Sequence, residues 1–255
     1  MIDIRYYLSQ NTVDGHIHLF DKDGCILYSK DSKYVTFCDI EPKYIDDYKS
    51  TMKYYEKFID NDHNENMILL ATSPSEDEMI ALHKKWPNII KGFGEVKCYK
   101  EWKGEVLNLD KLGKYYKLFK YAGENNLPIY IHFSLYDDAC VTRFESVLKK
   151  FPSTKIVLCH CGMDIGTDND FCYHSVSALM KTYHNLWCDI SWKATDYFIK
   201  NPLRILNLNT SHLIIGSDIN KFNCSEDSVR HIWNKLHKFD GFIKSDRNIK
   251  KLFNI

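Results

Sequence analysis

The chain has 255 residues, of which 44% are hydrophobic and 27% charged, as in an ordinary globular protein. Its 34 basic residues equal its 34 acidic residues, so no global field would attract nucleic acid or an anionic membrane surface. No apolar run approaches the ~20 residues of a membrane span, and the first residues show no signal-peptide core. These features disfavour a membrane protein and a nucleic-acid partner.

Cysteine usage indicates the redox compartment. The sequence has nine cysteines, an odd number, with no Cys-x-x-Cys pair. A chain of this length does not need disulfides to stabilise its core. We therefore expect free thiols and a cytoplasmic location.

Strand-like and helix-like segments alternate along the chain. Val13–His18 reads as a buried strand, and two β-rich runs around a polar turn then predict a β-hairpin insertion whose second arm is Tyr34–Cys38. Apolar periodicity predicts a helix from Pro42 to about Asp60. Further strands are predicted at 67–72, 89–97, 129–132, 155–160, 186–190 and 212–218, with helices at 75–86, 109–125, 139–151, 173–184, 195–206 and from 225 onward.

Continuous apolar strands that alternate with helices predict a parallel sheet covered on both faces. Polar residues at successive strand ends, His132, His160, Asp189 and Asp218, are 28, 29 and 29 residues apart. This spacing is close to the ~31 residues per unit of a (β/α)8 barrel, which predicts one TIM-like barrel domain over residues 1–255. Seven parallel strands are clear. The eighth lies around Val106–Leu109, is supplied by Tyr34–Cys38, or is missing from a distorted barrel.

Imidazole and carboxylate groups recur where these strands end. His16 and His18 point to the same side of the first strand, about 7 Å apart at ~3.3 Å per residue. Glu95 lies within the predicted strand 89–97, and His132, His160 and Asp218 end later strands. Unpaired, each such buried group would cost roughly 1–3 kcal/mol, whereas divalent metals such as zinc take these side chains as ligands. The pattern therefore predicts a divalent metal site, with zinc the first choice.

Five segments resemble the metal-dependent amidohydrolase superfamily and occur in that family's order: Asp14–His18, Gly92–Glu95, Pro128–His132, Ile156–Gly162 and Gly216–Asp218. The amidohydrolase-2 branch is the most similar, and the Gly-x-Gly-Glu element also resembles TatD-type hydrolases. The resemblance implies one or two metal ions. It implies these ligands: His16, His18, Glu95 (which bridges if two ions bind), His132, His160 and Asp218. It further implies that Asp218 is the general base.

Other residues keep alternative interpretations. Asp189 either accepts a hydrogen bond from a ligand histidine or points outward to a helix. Lys97 is a substrate contact, a carbamylated ligand or a surface lysine. Arg143 and Lys193 are cationic candidates for a substrate carboxylate or phosphate. Cys159 and Cys161 flank His160, and successive residues of a strand point to opposite faces. We therefore expect both cysteines to pack between the barrel and its helices.

The predicted activity is metal-assisted hydrolysis of an amide, ester or lactone bond in a small molecule. Alternatives are a decarboxylase of the same branch, a TatD-like or PHP-like phosphodiesterase, and a catalytically silent barrel that only binds. The last matched motif of PHP phosphoesterases is usually Asp-x-His, whereas this chain has Asp218-Ile219-Asn220. This difference argues against a PHP-like phosphodiesterase. Whether the chain forms a homo-oligomer is left open.

Overall fold

The computed structural model describes residues 13–19, 33–38, 48–61, 67–98, 109–219, 225–239 and 241–255. Eight strands form one parallel sheet in sequential order. They are β1 Val13–Leu19, β2 Lys33–Cys38, β3 Met67–Ala71, β4 Ile90–Lys97, β5 Ile129–His132, β6 Ile156–Leu158, β7 Leu186–Ile190 and β8 Leu213–Ile215. The sequential order confirms the predicted TIM-like barrel and provides all eight of its strands.

The α-helices are α1 Tyr48–Asn61, α2 Glu76–Lys85, α3 Tyr116–Glu124, α4 Asp138–Lys150, α5 Asn169–Thr182, α6 Trp192–Lys200, α7 Glu226–Leu236 and α8 Ser245–Phe253. Short 3₁₀ helices cover Leu109–Tyr115, Pro202–Asn207, Thr210–His212 and His237–Phe239. Helix α4 begins where Asp137 accepts a hydrogen bond from the Cys140 amide at 2.8 Å, which satisfies one orphan donor of its first turn. Among the described residues, no helix is long and apolar enough to span a membrane.

The prediction for the second β-rich run is wrong in one respect. Strand β2 pairs in parallel with β1 on one side and with β3 on the other. Both edges are therefore occupied, so this run is the eighth barrel strand and not the second arm of a hairpin. The proposed first arm and the segments Pro42–Asp47 and Val106–Asn108 lie outside the described residues.

Two apolar clusters account for the core. The larger lies between the barrel and its helices. The smaller fills the barrel itself and includes α8: Val35, Ile68, Leu70, Tyr130, Val157, Cys159, Trp187, Ile214, Ile249, Leu252 and Phe253. Cys159 belongs to the interior cluster, which contradicts the parity prediction, whereas Cys161 lies in the outer cluster as expected. Because β6 ends at Leu158, strand parity does not extend to the residues that follow.

The barrel closes beyond the end of β8. The Asp218 amide donates to the His16 carbonyl at 2.9 Å, and the His18 amide donates to the Ile219 carbonyl at 3.0 Å. The buried carboxylate of Asp14 accepts bonds from the Ser217 amide at 2.9 Å and hydroxyl at 2.6 Å. The closing contacts therefore lie beside the histidines of β1.

Gly216 allows this close approach between the first and last strands. A Cβ atom on Gly216 would lie 2.3 Å from the Cβ of His16, far inside any tolerated contact. Only glycine fits here without moving β8 away from β1.

Candidate metal centre

The six predicted ligands meet at the carboxyl ends of the strands. Two come from β1, one from β4, one from the last residue of β5, and two from the turns after β6 and β8: His16, His18, Glu95, His132, His160 and Asp218. All are buried except His132, whose side chain is 13% exposed. A buried meeting point of imidazoles and carboxylates has the chemistry of a divalent metal site.

Three donor atoms form a compact triangle, which we call the inner group. Nε2 of His16 lies 3.2 Å from Nε2 of His18, and Oδ1 of Asp218 lies 3.5 Å and 3.2 Å from these two nitrogens. Donors around a tetrahedral zinc ion with bonds of ~2.1 Å are about 3.4 Å apart. The three atoms therefore have the separation that such an ion requires.

Glu95 connects the inner group to a second set of donors. Its Oε2 lies 3.8 Å from Nε2 of His18, while its Oε1 lies 2.9 Å from Nδ1 of His132 and 3.7 Å from Nε2 of His160. We call Glu95, His132 and His160 the outer group; their ligand atoms all lie within 4.8 Å of one another. One carboxylate thus faces both groups with different oxygens, which is the arrangement of a bridging ligand.

The second ring nitrogen of each of two histidines is held by a buried acceptor. Nδ1 of His16 lies 2.9 Å from Oδ2 of Asp189, and Nδ1 of His160 lies 2.6 Å from the Ser191 hydroxyl. Asp189 also accepts bonds from the His160 amide at 3.0 Å and from the Ser191 hydroxyl. Of the two interpretations of Asp189, the structure therefore favours the acceptor that orients ligand histidines.

Burial and charge act against each other in this cluster. Burial alone would lower the pKa of His132, but Glu95 and Asp164 raise it to about 9. Burial would raise the pKa of Asp189, but His16 and its neighbours lower it to about 2. In the protein alone, imidazolium–carboxylate pairs therefore hold the cluster together, and a cation must displace protons to bind.

The same balance applies to the remaining acids and to the inner histidine. Burial opposes ionisation of Glu95 and Asp218, yet the surrounding imidazoles lower both pKa values, that of Glu95 well below its usual range. Burial also opposes protonation of His16, but the Asp189 carboxylate raises its pKa overall. Both carboxylates are therefore ionised at neutral pH and available as ligands.

Left-handed backbone conformations concentrate at the site. His160, Cys161, Trp192 and Asp218 all have positive φ angles, between 44° and 53°. Such conformations cost on the order of 1–3 kcal/mol each outside glycine and persist where the surroundings enforce them. Here they turn the chain sharply after β6, β7 and β8, which directs two ligands back over the barrel.

The predicted substrate-binding cations have different placements. Lys193 is the second residue of α6. Its Nζ lies 5.5 Å from the ring centre of Trp192, and that ring lies 5.3 Å from the ring of His160. Lys97 is exposed at the end of β4, and its Cα is the ladder partner of the Cα of His132. Arg143 lies in α4, in the helical layer, so the structure places it less directly at the site than the lysines.

Sequence reasoning assigned no individual role to Asp14 or Asp164, and it named Trp192 only within a segment expected to line the substrate pocket. Asp14 accepts a hydrogen bond from the Ser217 hydroxyl in the turn after β8. Trp192 packs against the imidazoles of His132 and His160. Asp164 places its carboxylate 3.6 Å from Nε2 of His132. The signal for Asp164 was available, since it lies between Gly162 and Gly166 in the loop that should overhang the strand ends.

Comparison with known proteins identifies the family that part of the chain resembles. The family model for amidohydrolases matches residues 90–211, a segment that contains the outer group. No curated protein matches the chain in sequence.

Solved structures extend the similarity to the rest of the barrel. An amidohydrolase from Burkholderia multivorans with bound zinc has a TM-score of 0.64 at 10% identity, with 96% of this chain and 99% of that chain covered. A probable 2-pyrone-4,6-dicarboxylic acid hydrolase from Acinetobacter baumannii has a TM-score of 0.63 at 14% identity, covering 96% and 100%. A 2,6-dihydroxybenzoate decarboxylase from Rhizobium has a TM-score of 0.55 at 12% identity, covering 87% and 84%. Residues 90–211 therefore match the amidohydrolase family model in sequence, and almost the whole chain shares the (β/α)8 barrel fold of these structures.

Proposed function

We propose that this barrel is a metal-dependent hydrolase that cleaves an amide, ester or lactone bond in a small molecule. The observation that carries the proposal is the inner group, whose three donor atoms are 3.2, 3.2 and 3.5 Å apart. Two imidazole nitrogens and a carboxylate oxygen at these separations match the ligand spacing around a shared divalent cation.

The donor set of imidazoles and carboxylates suits zinc, which we propose as the resident ion, with one ion at the inner group and a second at the outer group. When bound, such a cation lowers the pKa of a coordinated water and polarises an electrophilic carbonyl. The side chains that would hold it are already in place through Asp189 and Ser191, which orient two of the imidazoles.

Asp218 is the proton acceptor of the proposed reaction. Its carboxylate is 11% exposed, so substrate and water reach it from the open end of the barrel. The imidazoles around it keep its pKa below the usual value, so that it is ionised at neutral pH. A carboxylate in this position takes a proton from the attacking water and returns it to the leaving group.

The rim around the cluster selects the substrate. Trp192 forms an aromatic wall over His160, and Lys193 beside it provides a positive charge. Lys97 is the second cation at the strand ends, and we assign Arg143 of α4 to the same role at a greater distance. These groups favour a small substrate that carries a carboxylate or another anionic substituent.

A metal-dependent decarboxylase is the second candidate. It is favoured by the structural similarity to the dihydroxybenzoate decarboxylase, whose TM-score of 0.55 is close to those of the hydrolytic neighbours. The two reactions differ in product, because only decarboxylation releases CO2.

The test combines metal analysis with a substrate panel. Purified protein is stripped with chelator, reloaded with zinc, and assayed against lactones, amides, aromatic carboxylic acids and a bis-aryl phosphodiester. We expect zinc-dependent cleavage of a lactone or amide. Less than a tenth of an equivalent of zinc after reloading would refute the metal site. CO2 release from an aromatic acid would favour the decarboxylase, and phosphodiester cleavage a nuclease-type enzyme.

Two variants assign the proton acceptor. Asp218→Asn, assayed at saturating zinc and with its zinc content measured, should lose about 10²- to 10⁴-fold in turnover. Asp196→Asn makes the same chemical change at an exposed residue that pairs with Lys235, and should leave turnover unchanged. Full activity in zinc-loaded Asp218→Asn would exclude Asp218 as the base.

The described cysteines support an intracellular, reducing compartment. All six are buried and carry free thiols: Cys98, Cys140, Cys159, Cys161, Cys172 and Cys188. We therefore retain the cytoplasm as the proposed location.

A further inference from the structure

His132 differs from His16 and His160 in the source of its second contact. His16 and His160 are oriented from strand β7 and its following turn, through Asp189 and Ser191. His132 is contacted instead by Asp164, which lies in the loop after β6. This loop residue has no role in the proposed function so far.

The two nitrogens of His132 face two different carboxylates. Nδ1 lies 2.9 Å from Oε1 of Glu95, inside the outer group, and Nε2 lies 3.6 Å from Oδ2 of Asp164 on the opposite side of the ring. The ring itself is fixed by edge contacts with His160 and Trp192, at centroid distances of 4.7 and 6.3 Å. Asp164 and Glu95 therefore lie beside different nitrogens of the same ring.

The loop holds the Asp164 carboxylate in a defined orientation. Its Oδ2 accepts a bond from the Ser134 hydroxyl at 2.6 Å, and its Oδ1 accepts one from the Ile165 amide at 2.6 Å. The Asp164 amide in turn donates to the Thr167 hydroxyl at 2.9 Å. The side chain is 12% exposed. A carboxylate fixed at both oxygens is a positioned acceptor and not a mobile surface charge.

The position of the proton decides whether His132 can act as a ligand. A neutral imidazole carries one N–H and one lone pair, and only the lone pair binds a metal. Without an acceptor at Nε2, the favourable state is Nδ1–H donating to Glu95, which blocks Nδ1 and also occupies a Glu95 oxygen. A carboxylate 3.6 Å from Nε2 is beyond hydrogen-bond distance, but its negative charge favours the proton on that nitrogen and leaves the Nδ1 lone pair directed at the outer group.

We propose that Asp164 is a positioning residue for a second divalent cation: its negative charge favours the tautomer of His132 with Nε2–H toward the loop and the Nδ1 lone pair toward Glu95, and thereby makes the outer group competent to bind. This inference rests on the proposed function, because it assumes that the inner group holds the first cation. It assigns to the loop after β6 the control of whether the enzyme contains one ion or two.

The experiment is a calorimetric titration of the metal-free protein with zinc chloride, which separates the first and second equivalents. Asp164→Ala should weaken binding of the second equivalent by about 10- to 100-fold, the usual effect of removing a residue that orients a ligand. Binding of the first equivalent should change by less than twofold. Asp164→Asn, which is nearly isosteric, and Ser134→Ala, which frees one carboxylate oxygen, should show the same selective loss at smaller size.

Controls distinguish positioning from general damage to the loop. Asp168→Asn changes a carboxylate of the same loop that caps α5 through the amides of Asp170 and Phe171, and should leave both equivalents unchanged. In a His132→Gln background, Asp164→Ala should have no further effect, because the two residues act through one ligand.

Each other result overturns the inference in a recognisable way. Binding of the second equivalent to Asp164→Ala within twofold of the parent protein removes the positioning role. Uptake of a single equivalent by the parent protein removes the outer cation site and its second ion, while hydrolysis with one ion at the inner group stands. Uptake of no zinc by the parent protein refutes the proposed function itself.

Discussion

Replacing Asp189 with asparagine tests how the cluster is preorganised. The Asp189 carboxylate is fully buried and accepts from three groups: Nδ1 of His16, the amide of His160 and the hydroxyl of Ser191. Asparagine keeps the shape but has only one oxygen. If that oxygen accepts from the His160 amide and the Ser191 hydroxyl, the NH2 group faces Nδ1 of His16. Nδ1 must then accept a hydrogen bond, and the proton of the neutral imidazole moves to Nε2.

The consequence of that shift can be estimated from the geometry. Nε2 of His16 lies 3.2 Å from Nε2 of His18, so a proton on it occupies the space of the inner cation. We expect Asp189→Asn to weaken the first zinc equivalent about 10- to 100-fold, or roughly 1.4–2.7 kcal/mol. Loss of charged hydrogen bonds should also reduce the free energy of unfolding of the metal-free protein by about 1.5–3 kcal/mol.

Two measurements check this prediction: zinc titration by calorimetry and urea unfolding of the metal-free protein. The control is Asp137→Asn, which changes a carboxylate that caps α4 away from the cluster and should leave zinc affinity unaltered. First-equivalent binding by Asp189→Asn within twofold of the parent protein would show that the His16 tautomer is not set by Asp189, and the reasoning would fail.

Three further predictions follow from the site and its surroundings. Because the pKa of His132 is raised to about 9, its contribution to the stability of the metal-free protein should be complete below pH ~6.5 and lost as pH rises through about 9, as measured by urea unfolding against pH. Glu95→Gln should reduce zinc stoichiometry from two equivalents to one by elemental analysis; two retained equivalents would contradict a bridging role. Gly216→Ala should lower the free energy of unfolding by at least about 1–3 kcal/mol, since the new Cβ would lie 2.3 Å from that of His16, whereas Gly113→Ala has open space and should be tolerated.

Strand ends were the most informative feature of the sequence. A buried strand that finishes in an imidazole or carboxylate is costly without a partner, so His132 and His160 at barrel-like spacing indicated both the fold and the cluster. The structure brings these residues together with His16, His18 and Asp218, although their roles as ligands stay predictions. Local pattern was sufficient here because parallel strands share one carboxyl edge.

Other features depended on contacts that no local pattern encodes. The run at Lys33–Cys38 looked like a hairpin arm because a polar turn precedes it, yet its partners are β1 and β3. Cys159 was assigned to the wrong cluster because the strand ends at Leu158 and the chain then turns through left-handed residues. The orientation of Asp189 and the approach of Asp164 depend on those turns, which only the folded barrel defines.

The closing contacts between β1 and the turn after β8 have a consequence for how the enzyme is maintained. Two of the inner donors belong to the first strand, and the third, Asp218, follows His18 by 200 residues. A bound cation therefore cross-links β1 to the turn after β8, and only the closed barrel brings all three ligands together to bind it. At a free zinc concentration 100 times the Kd of the inner group for zinc, this cross-link would add about 2.7 kcal/mol to the stability of the closed barrel. Loss of metal would abolish activity and remove this contribution to barrel closure at the same time, so that the cell's zinc supply would govern the lifetime of the protein as well as its activity.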